Sequence, residues 1–290
     1  MQTKSALSSS WVLLAVGVTA ASTAAILVRY ATGAQPLALA FWRCLAGAAA
    51  LAPFARKGLA GLGGRGARLP AVSGLFLALH FATWLTSLRL TTVAASTLLV
   101  STTPIFVALG AWALWHERLR PRTWTGIGVT VAGVALVSGG SLQGSSLLGN
   151  LLALAGGATA GGYAMSGRRA RLVMGNLEYT VVAYAAAAAA LLVACLVSGV
   201  ALWGYDAATW VAVAGLAVGP QLLGHTLINF SLRYIDVVSV SVSIMVEPVI
   251  ATVLALLLLK ESPPALVVPG GVLVLAGVYA VITSQASERV

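Results

Sequence analysis

The chain has 290 residues, of which 59% are hydrophobic and only 8% charged, a balance that excludes an ordinary water-soluble domain. The formal net charge is +10, but the basic residues sit in short connections between apolar stretches, where they report membrane orientation and not nucleic-acid binding. Both cysteines, Cys44 and Cys195, fall inside apolar stretches as small packing residues and imply neither a disulfide framework nor a metal site.

Stretches of about 20 apolar residues predict ten membrane-spanning helices, in chain order at 11–30, 34–54, 71–89, 92–115, 122–140, 147–167, 177–199, 207–231, 236–259 and 264–284. The connections are short, so little chain remains for a soluble domain. When the ten spans are threaded, Lys4, Arg56, Lys57, Arg65, Arg68, Arg118, Arg120, Arg122, Arg168, Arg169, Arg171, Arg233 and Arg289 fall on one side, and only Arg29, Arg89 and Lys260 on the other. That asymmetry places both termini in the cytoplasm of a cell (plasma or inner) membrane. Lys4 followed by the apolar run from Trp11 imitates a cleavable signal peptide, but its removal would break the repeat that follows, so it is read as a first span.

A shift of 144 positions aligns SLRLTTVAAS (87–96) with SLRYIDVVSV (231–240) and brings Pro104 onto Pro248, Glu117 onto Glu261, Gly126 onto Gly270 and Gly133 onto Gly277. VTAASTAA (18–25) resembles ATAGGYAM (158–165) at a similar shift. The chain therefore reads as two repeats, 1–145 and 146–290, of five spans each. An odd number of spans makes the second repeat enter the membrane from the opposite side, so the repeats are inverted, an arrangement that lets two halves exchange conformations around a central site.

The segments PIFVALGAWALWHERLRPRTWTGIGVTVAGVAL (104–136), EPVIATVLALLLLKESPPALVVPGGVLVLAGVY (247–279) and FWRCLAGAAAL (41–51) resemble the ten-helix EamA-type members of the drug/metabolite transporter superfamily. In that family a fourth or ninth helix carries a proline and ends in glutamate, and a glycine-containing helix follows. The resemblance implies an all-α basket with a central cavity formed by spans one to four and six to nine, with five and ten at the periphery. It also implies a secondary transporter, exporting small metabolites such as amino acids by alternating access. No GxxxxGK[ST] signature is present, so energy comes from an ion gradient or transport is passive.

An ionisable group in the membrane costs about 2.5–3.5 kcal/mol on insertion scales. Arg43 and Glu247 alone fall near the middle of a span. Arg43 offers a planar positive fork for a carboxylate or phosphate, and Glu247 accepts an ammonium group or a coupling proton; alternatively the two form an ion pair, or stand as separate charges bonded to backbone carbonyls and hydroxyls, and only fix packing. The repeat counterpart of Glu247 is Thr103, so the carboxylate belongs to one half only. Gln221, His225 and Asn229 recur every four residues on the eighth span, as do Phe76, His80 and Trp84 on the third and Ser239, Ser243 and Glu247 on the ninth, which places each set on one helical face. Such polar faces must turn toward protein or a watery cavity.

Phe41, Trp42, Phe81, Trp84 and Tyr163 are candidate cavity walls, while Trp11, Trp112, Trp115, Trp124, Trp203 and Trp210 lie near span ends and read as interfacial anchors. Pro104 and Pro248 are hinge candidates, each removing a backbone hydrogen bond midway along a span. Glu117 and Glu261 read as structural. Neither His80 nor His225 stands at zinc-ligand spacing, so no metal, cofactor or catalytic residue is assigned. The expected partners are a small-molecule substrate, the lipid bilayer and a coupling proton, with no nucleic acid, and the expected state is a monomer or weak homodimer. A passive channel and a membrane-embedded enzyme using His80, His225 and Glu247 are the alternative readings.

Overall fold

In hydrocarbon a backbone N–H or C=O has no solvent partner, so apolar chain of this kind forms helix. The computed structural model describes residues 4–90, 96, 99–116, 119–137, 147–260 and 267–286, and helices occupy all ten expected places. They are α1 (Lys4–Ala21) and α2 (Ala24–Tyr30), α3 (Pro36–Ala60), α4 (Gly64–Leu90), α5 (Thr103–Trp115), α6 (Pro121–Val137), α7 (Leu147–Val173) and α8 (Asn176–Val197). The eighth span is α9 (Ala207–Leu216), a π-helical segment (Ala217–His225) and α10 (Thr226–Ser231). The ninth is α11 (Val237–Ile244), α12 (Glu247–Leu254) and a second π-helical segment (Ala255–Leu259), and α13 (Val267–Ala286) closes the chain.

Among the described residues, six helical stretches are long and apolar enough to cross a membrane, and the apolar runs Thr103–Leu114 and Pro269–Val281 are shorter. α7 is long but less apolar because it carries Gly156, Gly157, Gly161 and Gly162. These glycines are contact points: a Cβ on Gly162 would stand 2.6 Å from the ring of Phe76 on α4, and one on Gly157 would stand 3.0 Å from the carbonyl of Val100.

The most extensive packing joins one half of the chain to the other. α4 lies along α7, α3 along α8 and α6 along α13, while α1 packs against the π segment Ala217–His225 and α10. Inverted duplicates require this pattern. The third-to-sixth and first-to-eighth pairs are repeat mates, and the second-to-seventh and fifth-to-tenth pairs are their own mates. The α6–α13 pair shows the two-fold at atomic scale. A Cβ on Gly126 would meet the carbonyl of Gly277 at 3.0 Å, one on Gly277 would meet that of Gly126 at 2.6 Å, and one on Gly133 would meet that of Gly270 at 2.7 Å. Gly126 thus faces the mate of Gly133, and Gly133 faces the mate of Gly126.

Helix ends repeat as well. Among the described residues only His116 (φ 53) and Lys260 (φ 56) are non-glycine residues with positive φ, and they stand 144 positions apart, each ending its helical span in a left-handed cap. Glu117 and Glu261 lie outside the described residues, as does the expected boundary at 145/146.

The spans carrying the two prolines differ from expectation. Neither proline sits in the interior of a continuous helix; each is the second residue of a new helix, α5 or α12, where the first-turn N–H has no intrahelical partner to lose. The break precedes it in a tight turn that is the same in both halves. The Thr102 N–H donates to the Leu99 carbonyl (3.2 Å) and Ile105 N–H to Thr102 (2.9 Å), matched by Val246 N–H to Ser243 (3.2 Å) and Val249 N–H to Val246 (3.0 Å). A third break, at Ser22 and Thr23, separates α1 from α2.

If α6 and α13 depend on backbone contact, Gly277→Ala, whose Cβ would stand 2.1 Å from Thr130 Oγ1, destabilises the protein by about 1–3 kcal/mol. Gly128→Ala on the open face of α6, where a Cβ meets nothing within 4 Å, leaves stability unchanged or slightly raised. Thermal unfolding of both variants in the same detergent measures the difference.

Candidate functional site

Irregular backbone is tolerated at membrane depth only where protein or a water-filled cavity surrounds it. The three helix breaks and the π segment converge on one such place. A cavity of about 110 Å³ is walled by Ala21, Ala24 and Ala25 at the first break, Ser101, Thr103 and Pro104 at the second, Met245, Glu247 and Pro248 at the third, and Pro220 and His225 of the π segment. Arg43 from α3, His80 and Trp84 from α4, Tyr163 from α7, Asn229 from α10 and Ser241 from α11 complete its polar lining.

Arg43 is 1% exposed. Its Nε donates to Gln221 Oε1 at 2.8 Å, and its guanidinium carbon lies 4.1 Å from the centre of the Phe81 ring, a cation–π contact at a buried position. Its Nη1 is buried with no hydrogen-bond partner. Glu247 opens α12, where the positive end of a helix dipole favours a carboxylate. Arg43 and Glu247 line the same cavity, yet among the described residues no salt bridge joins them, so the packing ion pair is not what the structure contains.

His80 Nδ1 lies 3.0 Å from the Gly156 carbonyl. A carbonyl only accepts, so Nδ1 carries the proton, and in the neutral ring Nε2 is left as an acceptor. The ring stacks on Trp84 at 5.5 Å. His225 stands edge-on to Phe81 at 5.3 Å and to Tyr163 at 6.0 Å. The Tyr163 hydroxyl donates to Asn229 Oδ1 at 2.8 Å, and the Asn229 backbone carbonyl accepts from Arg171 Nε at 3.1 Å.

Of the ten residues singled out for the cavity, Arg43, His80, Trp84, Tyr163, His225, Asn229 and Glu247 line it, together with Pro104 and Pro248. Three do not. Gln221 stands behind Arg43 as its hydrogen-bond acceptor, within the π segment. Pro220 lies within that segment, and the widened turn accommodates a residue that an α-helix interior would not. Ser243 turns back to donate to the Ser239 carbonyl at 2.8 Å. Trp42 donates to the Leu202 carbonyl at 2.9 Å and packs edge-on against Trp203 and Trp210, at 4.6 and 5.3 Å, in an aromatic cluster at a span end.

Phe41 and Phe81 are core residues that pack behind the lining. Ser101, Thr103, Ser241 and Met245 were not singled out, although they line the cavity. Thr103 was legible as the repeat mate of Glu247; Ser241 had no signal, since serines stand at 239, 241 and 243 alike.

The model of the EamA-like transporter family matches this chain twice, at residues 8–139 and 147–283. Over 259 residues the chain is 27% identical to an "Uncharacterized transporter" of Archaeoglobus fulgidus, a match covering 87% of this chain and 89% of that protein. A shorter stretch of 54 residues is 32% identical to the "Probable 4-amino-4-deoxy-L-arabinose-phosphoundecaprenol flippase subunit ArnE" of Salmonella paratyphi B, covering 19% of this chain and 49% of that one. A solved crystal structure superposes with a TM-score of 0.79 at 21% identity, over 97% of this chain and 99% of that chain, which shows a shared fold. With a cavity built at matched helix breaks and a family model that fits both halves, the chain belongs to the EamA-like transporter family, a family of membrane transporters within the drug/metabolite transporter superfamily.

Proposed function

We propose that this protein is a secondary transporter that exports small metabolites, amino acids foremost, across a cell membrane by alternating access. The observation that carries the reading is the cavity itself: a buried arginine and a half-buried carboxylate, unpaired with each other, line one space at the junction of the two halves. An enclosed charge is costly unless something neutralises it, and a zwitterion would satisfy Arg43 and Glu247 at once. The inverted repeats, 1–145 and 146–290, exchange conformations between the two access states in this reading, and the paired turns at 101–102 and 245–246 are where the chain flexes. The basic residues place both termini in the cytoplasm. A monomer contains the whole cavity, so a homodimer adds nothing to it.

Glu247 is the group proposed to take either the substrate ammonium or a coupling proton. It lines the cavity wall beside the break, and it stands on one repeat only, which suits a role in driving the cycle more than one in holding the two-fold. The short match to a flippase subunit covers too little of the chain to carry its lipid-linked sugar over to this cavity.

Purified protein in sealed liposomes should show saturable uptake and counterflow with members of an amino-acid panel. Uptake that neither saturates nor is stimulated by substrate on the opposite side would mean a passive pore, and a chemically altered product would mean an enzyme. In the variant Glu247→Gln, counterflow persists while accumulation driven by a pH gradient is abolished; full retention of that dependence removes Glu247 from coupling. Pro248→Ala restores the possibility of a continuous ninth helix and is expected to slow exchange more than it weakens binding, read as a lower maximal counterflow rate at an unchanged half-saturating concentration.

A further inference from the structure

Seven buried side-chain polar atoms have no hydrogen-bond partner among the described residues: Arg43 Nη1, Trp84 Nε1, Asn176 Oδ1, Thr180 Oγ1, Gln221 Nε2, Asn229 Nδ2 and Ser239 Oγ. Their distribution is not even. Arg43, Trp84 and Asn229 line the cavity, and the orphaned atom on each is a nitrogen carrying hydrogen. The orphaned oxygens, on Asn176, Thr180 and Ser239, belong to residues that are not part of the lining. The fourth orphaned donor, on Gln221, stands immediately behind Arg43. Its orientation is fixed, since Arg43 Nε is a donor and must face Oε1. All three lining residues are at least nine-tenths buried, at 1%, 7% and 0% exposure.

A buried donor left unmade costs the full desolvation of the group, and natural structures rarely carry several such groups around one space without a ligand or water that satisfies them. We propose that the Arg43, Trp84 and Asn229 side of the cavity is a carboxylate-binding subsite, in which Nη1, Nε1 and Nδ2 donate to the two oxygens of a substrate carboxylate. The inference rests on the cavity being the transport site, and it names the end of the substrate that is recognised. A carboxylate is favoured over a phosphate dianion because Arg43 is the one lysine or arginine among the lining residues, so the subsite balances a single negative charge. Glu247 stands in the same lining and repels any second negative charge nearby.

The three donors come from both halves of the chain, Arg43 and Trp84 from the first and Asn229 from the second. A bound carboxylate therefore ties the two repeats together. Asn229 is also held from behind, by Tyr163 on its side-chain oxygen and by Arg171 on its backbone carbonyl, so the third donor is already oriented when the ligand arrives. Trp84 is held by its stack on His80.

The test is binding of matched ligand sets to the purified full-length protein in detergent, by calorimetry: each amino acid, its decarboxylated amine and its deaminated acid, for example leucine, isopentylamine and 4-methylpentanoate. Every binder is expected to carry a carboxylate, and deaminated acids are expected to outbind the corresponding amines. Trp84→Phe, which keeps an aromatic ring beside His80 and removes the N–H with the pyrrole part of the indole, should weaken carboxylate binding about tenfold or more. Arg43→Lys should weaken it further, since an ammonium cannot keep the Gln221 bond and present a second donor from one rigid plane.

Amines that bind as tightly as the acids, a panel with no binder, or full carboxylate affinity in Trp84→Phe would each overturn the subsite. Counterflow with the same compounds separates this inference from the transport reading. A carboxylate that binds but is never exchanged defeats transport and keeps the subsite, whereas an amine without a carboxylate that is exchanged defeats the subsite and keeps transport.

Discussion

The constraint on which the rest depends is that a backbone in hydrocarbon must satisfy its own hydrogen bonds. It makes helix the default and makes every departure from helix informative. Here four of the departures cluster: the breaks at 22–23, 101–102 and 245–246 and the π segment Ala217–His225 border one cavity, while the second π segment, Ala255–Leu259, lies outside its lining. Two of the breaks are the same turn written 144 positions apart, with matching hydrogen bonds. Repetition of a costly local conformation at the same place in both halves argues that it is a property of the repeat unit, and its position at the cavity ties that property to the site.

Charge follows the same economy. Arg43 is held by one glutamine and one aromatic face and has a donor to spare. A guanidinium retained only for packing would have its donors used up by protein. Glu247 sits at the start of a helix instead of against Arg43, so the first half contributes the positive charge and the second half the negative one to the lining of one cavity. The interleaved packing of α4 on α7 and α3 on α8 brings these groups from distant parts of the chain to a common depth.

Much of this was legible before the structure. Hydropathy alone placed a helix at each of the ten positions, because spans must be apolar and long. The 144-residue shift paired Gly126 with Gly270 and Gly133 with Gly277, and in the α6–α13 contact each glycine faces the mate of the other, as a two-fold axis requires. Seven of ten expected cavity residues are lining residues because polar groups in a membrane have few other places to go. What was not legible depended on local backbone geometry. Nothing in periodicity shows that AVGPQLLGH winds as a π-helix, or that the Gln221 side chain bonds Arg43 behind the lining. Pro104 and Pro248 were read as kinks in continuous helices because sequence marks the missing N–H and not the turn before it. Trp42 followed the aromatic-wall expectation, but its indole N–H found the Leu202 carbonyl at a span end.

The central claim is that the cavity opens to one side at a time. Ser101→Cys, at the cavity lining beside the first of the paired turns, in a background with Cys44→Ala and Cys195→Ala, places a single thiol there for a membrane-impermeant reagent applied from either side of sealed vesicles. The account predicts reciprocal change: a substrate gradient that raises the labelling rate from one side lowers it from the other. Rates that rise or fall together from both sides, as blockage or opening of a continuous pore would produce, would contradict it.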